Sequence, residues 1–392
     1  MAADSPSQPL TTIPTWSARI PALDGLRGVA ILLVLLRHAV FGVSSVQGIE
    51  THSRLTFLFL ATGQLTWSGV DLFFVLSGFL IGGILLDARS SPRYFQTFYL
   101  RRVYRILPLY FLVIGLSLLP HLLAEFSAAR AARTSPLPIP WWAYALFIQN
   151  FWMAHLGTFG PSGMGITWSL AIEEQFYLTI PLVIRKVRPR HLLIVLLMVI
   201  VCAPWLRVLL HSSMAFAGLA SYVLTPARAD ALSLGVLAAL LVRNPTVWNW
   251  LQSRRLILWQ ITFLFFLGTC YMTWQGYDAL SLPMTTWGFS WLAVFYTCIL
   301  LIAILPGDGI VPRILQNKTL MRLGTLAYCS YLVHVAFMNA IRHPLKAHFP
   351  QHPVAAWLVG GLVGMALTLA VAALSFKYFE KPFLRRGHEY SY

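Results

Sequence analysis

Ten apolar stretches divide this chain, at about 22–43, 56–86, 99–120, 166–184, 191–211, 229–242, 256–275, 287–305, 323–341 and 354–376. No soluble core can absorb so many runs, most of them near the roughly 20 residues a helix needs to cross a bilayer. Charged residues make up only 11% of the 392, against about 25% in ordinary soluble domains. In lipid each segment must close its own backbone hydrogen bonds, so the spans are helices. The long runs also exclude the short alternating segments of a membrane β-barrel. The expected fold is all-α: a polytopic integral membrane bundle of about ten transmembrane helices. A further piece, WWAYALFIQNFW at 141–152, is too short to span and is expected as an interfacial or re-entrant helix. The second stretch is long enough to tilt, or to break near Gly78, Gly82 and Gly83.

Lysine and arginine number 29 against 13 acids, a net charge of +16. With the N-terminus inside and ten spans, the basic clusters at 87–105, 185–191, 243–255 and 313–322, and the tail EKPFLRRGHEY, all fall on the cytoplasmic side. That is the positive-inside pattern. Most of the charge is therefore topological, and no nucleic-acid partner is expected. The reading is a multi-pass protein of the cell (inner) membrane with both termini cytoplasmic. Residues 1–19 are polar and rich in Ser and Pro, without the apolar core of a signal peptide. They are expected as a disordered cytoplasmic tail, 20–385 as a single membrane domain, and 386–392 as a second cytoplasmic tail. The four cysteines, 202, 270, 298 and 329, lie in apolar runs without metal-like spacing, so neither disulfide nor metal is expected.

The polar residues inside these runs carry the functional signal, because ionisable groups in lipid are costly. LDGLRGVAILLVLLRHAV (23–40) contains Asp24, Arg27, Arg37 and His38. Eleven residues separate Arg27 from His38, about 20° past three full turns, so the two share a face about 16 Å apart. Alone, each has a plain reading: a snorkelling anchor for Arg27, a packed histidine for His38. Together they suit an elongated ligand with an anionic end at Arg27 and a reactive end at His38. FYLRRVYRILPLY (98–110) sets Arg101, Arg102 and Arg105 at the cytoplasmic mouth of span three among Tyr99, Tyr104 and Tyr110. Guanidinium forks suit phosphate oxygens, and topology alone also accounts for their sign. Asp71 in span two needs a partner, with Arg37 or His38 as candidates. Glu173 and Glu174 open span four, and one is placed to orient His38. Arg228 with Asp230, and Tyr331 with His334, stand in spans six and nine. Each set reads either as structural or as part of a site.

Taken in order, these pieces resemble the membrane acyltransferase-3 family. The matching segments are LDGLRGVAILLVLLRH with its Arg27–x10–His38 spacing, DLFFVLSGFLI, FYLRRVYRILP, WSLAIEEQFY, RADALSLG, SYLVH and FEKPF. The resemblance runs from about residue 20 to 385. It implies a ten-span O-acyltransferase that moves an acyl group, usually acetyl from acetyl-CoA, to a hydroxyl of an envelope or lipid-linked glycan. Some relatives acylate small natural products instead. By motif position His38 is the catalytic residue and Glu173 the family's acidic position, and Glu173 or Asp71 would orient the imidazole. Arg27, Arg102, Arg105 and Arg101 handle acyl-CoA. Supporting or acceptor-side roles fall to Asp24, Trp168, Glu174 and Tyr177, and to Arg228, Asp230, Tyr331 and His334. No esterase-like domain is expected after the last span. His38 could act as general base or accept the acyl group and relay it. A transporter using the same charges is the rival from another class, and it lacks the internal repeat expected of one.

Overall fold

A chain that must satisfy its backbone within hydrocarbon has little choice beyond helices. The computed structural model describes residues 20–42, 63–124, 138–307 and 309–392, and no strand occurs among them. The expected tail at 1–19 and most of the outer loops at 44–55 and 121–140 lie outside the described residues. The helices are α1 (Pro21–Ala39), α2 (Gly69–Asp87), α3 (Tyr94–Ala124), α4 (Trp141–Ala145), α5 (Gln149–Leu156), α6 (Trp168–Lys186), α7 (Pro189–Ser213) and α8 (Ala217–Val223). They continue as α9 (Thr225–Val242), α10 (Pro245–Ser253), α11 (Arg255–Trp274), α12 (Phe289–Ile304), α13 (Ile310–Leu315), α14 (Lys318–His348), α15 (Pro353–Ser375) and α16 (Lys381–His388).

Eight helical segments among the described residues are long and apolar enough to cross a membrane: Thr66–Asp87, Tyr94–Leu119, Pro189–Ser213, Ala217–Val242, Arg255–Trp274, Met284–Ile304, Lys318–His348 and Pro353–His388. The two expected spans outside this set are α1 and α6, each 19 residues long. Asp24, Arg27 and Arg37 make α1 too polar, and Glu173, Glu174 and Arg185 do the same to α6. The two helices that fall short are those that bring the candidate His and Glu.

Local sequence explains where elements break. α2 passes through Gly78, Gly82 and Gly83 without interruption, so of the two readings, tilt or break, the break does not occur. The short piece at 141–152 is two helices, because Phe147 takes φ of 55° between α4 and α5. That kink is held from α6: Gln175 Nε2 donates to Phe147 O at 2.7 Å and to Asn150 Oδ1 at 3.0 Å. The stretch expected at 229–242 is preceded by α8, with an extended Leu224 at the joint before Pro226.

Two backbone-to-backbone contacts organise the bundle. α1 lies along α14, and α2 along α9; α2 also packs on α1, and α15 on α14. A Cβ on Gly28 would overlap the carbonyl oxygen of Leu320, and one on Gly324 would overlap that of Asp24. Gly78 and Gly235 make the equivalent contact between α2 and α9. Between lipid-embedded helices there is little hydrophobic drive, so close packing of small residues does most of the joining. Replacing Gly324 by Val is expected to force α1 and α14 apart, at a cost above the ~1–3 kcal/mol of an overpacked core. The thermal midpoint of purified protein in detergent should drop clearly, and an unchanged midpoint would contradict the contact.

Candidate active site

His38 stands in the last turn of α1, half-buried, and His334 stands fully buried on the facing α14. His38 Nδ1 lies 2.9 Å from Val34 O, and His334 Nδ1 lies 2.7 Å from Tyr331 O. A carbonyl can only accept, so in the neutral rings each Nδ1 carries the proton and each Nε2 a lone pair. His334 Nε2 sits 3.3 Å from His38 Nδ1, and the rings meet edge to face with centroids 4.7 Å apart. His334 therefore accepts a share of the His38 Nδ1–H. That arrangement leaves His38 Nε2 as the lone-pair nitrogen, with no hydrogen-bond partner among the described residues.

The same end of α1 is fixed by a residue that sequence reasoning missed. Arg342, on α14 and 5% exposed, reaches His38 O at 2.6 Å and Ala39 O at 3.0 Å through Nη2. Its Nε donates to Trp357 O at 3.2 Å, and its guanidinium lies 3.6 Å from the Trp357 ring centroid. The last carbonyls of a helix have no partner of their own, and a cation there also meets the negative end of the helix dipole. One helix, α14, thus sets both the ring and the backbone of His38.

A cavity of about 800 Å³ runs beside α1. Arg27 of α1, Arg102 and Arg105 of α3, Glu173 and Tyr177 of α6 and Tyr331 of α14 all line it. Its apolar wall is mainly α2, with Phe73, Leu76, Leu80 and Ile84. Arg105 is exposed, while Arg102 has a buried Nε without a hydrogen-bond partner. Neither has a carboxylate within ion-pair distance among the described residues, whereas Arg27 lies 3.4 Å from Asp24, which also lines the cavity. Tyr177 donates to Glu173 Oε2 at 3.2 Å and is hydrogen-bonded to Ser77. Tyr331 OH lies 2.6 Å from Ser169 Oγ, and its ring is 5.8 Å from that of His334. His38 itself does not line the cavity, and neither does His334; Tyr331 lines it and packs on His334, which in turn contacts His38.

A profile described as an acyltransferase domain matches residues 20–376. The chain belongs to that acyltransferase family. YrhL of Bacillus subtilis is 28% identical over 390 residues, covering 94% of this chain and 55% of its own length. The peptidoglycan O-acetyltransferase OatA of Listeria monocytogenes is 27% identical over 390 residues, with 94% and 56% covered. The O-acetyltransferase OatA of Staphylococcus aureus is 24% identical over 400 residues, with 94% and 58% covered. The chain spans a little over half the length of these relatives. No solved structure matches it.

Several residues of this acyltransferase chain have other partners than their sequence positions suggest. Asp71 is paired with Arg228 of α9, both fully buried, and not with Arg37 or His38. Asp230 is paired with Arg207 of α7 at 3.0 Å and accepts from Ser290 Oγ at 2.5 Å, so Arg228 and Asp230 are not partners. The imidazole of His38 is oriented by His334, while Glu173 accepts from Tyr177. Arg101 turns away from the cavity: its Nε donates to Tyr390 O at 2.8 Å and its guanidinium lies 5.3 Å from the Tyr392 ring. Residues 386–392 are thus helical to His388 and then bound along α3, where Thr97 also donates to Ser391 O. Trp168 packs on Tyr222 at 4.4 Å and, like Glu174, does not line the cavity. In sequence Arg207 stands only as a lone arginine in an apolar run, and Arg342 falls just past the stretch at 323–341, beside His343.

Removing Arg228 alone strands a buried carboxylate, which costs about 3–5 kcal/mol. Arg228→Met is therefore expected to lower the unfolding midpoint in detergent strongly, and Asp71→Leu combined with it to restore much of the loss. Equal midpoints for the single and double variants would show that the two side chains are not coupled.

Proposed function

We propose that the protein is a membrane O-acyltransferase that moves an acyl group, acetyl in the first instance, from cytosolic acyl-CoA to a hydroxyl of an envelope or lipid-linked glycan. The observation that carries this reading is the convergence of Arg27, Arg102 and Arg105 on one cavity, with Tyr331 of its wall in contact through His334 with His38. The fold is read as ten membrane helices, with α1 and α6 completing the eight apolar ones, and with both termini cytoplasmic. The family membership, and relatives named for O-acetylation of peptidoglycan, favour a glycan acceptor over a small natural product.

The chemistry follows from the groups present. Acyl-CoA is polyanionic at its nucleotide end, and three guanidiniums at the open side of the cavity match its phosphates. The pantetheine arm lies along Phe73, Leu76 and Leu80, which exclude water. His38 Nε2, left basic by the tautomer that Val34 O and His334 impose, takes the proton of the acceptor hydroxyl. The oxygen attacks the thioester carbonyl, the carbon–sulfur bond breaks, and the thiolate leaves with that proton. The same nitrogen could instead take the acyl group first and pass it on. A transporter reading uses the same charges but requires no base with a free lone pair.

Three outcomes test the proposal with purified, reconstituted protein and labelled acetyl-CoA. His38→Gln is expected to lower acyl transfer by at least about 100-fold with an unchanged thermal midpoint, and near-normal turnover would refute the catalytic role. Arg102→Gln should raise KM for acetyl-CoA about tenfold with kcat largely kept, since phosphate contacts act in ground and transition state alike; an unchanged KM argues against phosphate binding there. His334→Ala should lower kcat and leave KM near its original value, because it acts on the orientation of His38 alone.

A further inference from the structure

A groove of about 380 Å³ opens between α14 and α15, at the ends expected to face the cytoplasm. Met321, Leu326, Ala373 and Phe376 form its floor, and Thr325 is its one hydroxyl. Arg322 and Lys377 complete the lining. Both are exposed, and neither has a carboxylate within ion-pair distance among the described residues. Glu380, three residues past Lys377, accepts from Ser375 Oγ at 3.1 Å and lines the large cavity. Leu374 and Tyr378, 58% and 66% exposed, stand in the same turns of the helix and its π-helical extension, Phe376–Glu380. Apolar and tyrosine side chains this exposed belong against acyl chains and headgroups rather than water.

An apolar floor edged by two unneutralised cations complements a molecule with a phosphate at one end and hydrocarbon at the other. We propose that this groove binds one anionic phospholipid of the inner leaflet, with its phosphate between Arg322 and Lys377 and one acyl chain over Leu326, Ala373 and Phe376. A nucleotide fits less well, because the floor has no group besides Thr325 to bond a base or ribose. Thr325 and Phe376 also line the large cavity, so the bound chain braces a wall that the two spaces share. The inference stands whether or not the cavity holds acyl-CoA.

Native mass spectrometry of the full chain, released from nanodiscs containing equal phosphatidylglycerol and phosphatidylcholine of matched chains, tests it. The expected result is one retained phosphatidylglycerol, favoured about fivefold or more over phosphatidylcholine. Arg322→Gln with Lys377→Gln should erase that preference, and Ala373→Phe, which fills the floor without touching charge, should lower retention of both lipids. Thermal midpoints near that of the original protein would exclude misfolding as the cause. Equal retention of the two lipids by the original protein overturns the proposal. So does a double variant that keeps the preference, or one that keeps the lipid and loses affinity for coenzyme A, which would make the groove a nucleotide site.

Discussion

Contact between the backbones of α1 and α14 is the constraint on which the rest depends. Gly28 and Gly324 let the two helices touch where any side chain would hold them apart. At that separation the imidazoles of His38 and His334 meet, and Arg342 reaches the terminal carbonyls of α1. An arginine eight residues beyond a histidine on one helix thus fixes ring and backbone of a residue on another. Widening the gap by the width of a methyl group would break both interactions together.

Two pairs of arginines stand in contrast, and the difference is physical. Arg207 and Arg228 are fully buried and each is matched by a carboxylate, Asp230 and Asp71, with aromatic rings around them. Unpaired, either charge would carry a desolvation cost that the bundle could not absorb. Arg102 and Arg105 line a cavity, and neither has a carboxylate within ion-pair distance among the described residues. Guanidiniums that are not locked into a close internal ion pair keep their donors for an anionic ligand, even with Glu173 and Glu380 elsewhere on the cavity wall. The same contrast separates Arg322 and Lys377 from the ion-paired Arg243, which is bonded to Asp87 at 2.7 Å.

Much of this was legible in the sequence because helices impose a known geometry on spacing. Apolar runs mark the helices, and the three-turn interval from Arg27 to His38 and the one-turn interval from Arg102 to Arg105 mark shared faces. Spacing says which residues of one helix look the same way, and nothing about which helix they look at. For that reason Asp71 was matched with the wrong cation, Asp230 with its neighbour in the chain, and the partner of His38 with a carboxylate. Arg342 escaped notice because its role is to cap the backbone of another helix, which leaves no pattern near either residue. The break at Phe147 was hidden for a similar reason: the side chain that holds it, Gln175, comes from a later helix.

The central claim is that a cytosolic thioester reaches His38 through the arginine-lined cavity. The most direct measurement is a cryo-EM map of the protein with a non-hydrolysable acetyl-CoA analogue. The expected map has the analogue's phosphates against Arg27, Arg102 and Arg105, its arm along α2, and its carbonyl carbon within reach of His38 Nε2, past Tyr331. Density for the analogue outside this cavity, or a carbonyl held away from His38 with the His38–His334 pair undisturbed, would contradict it.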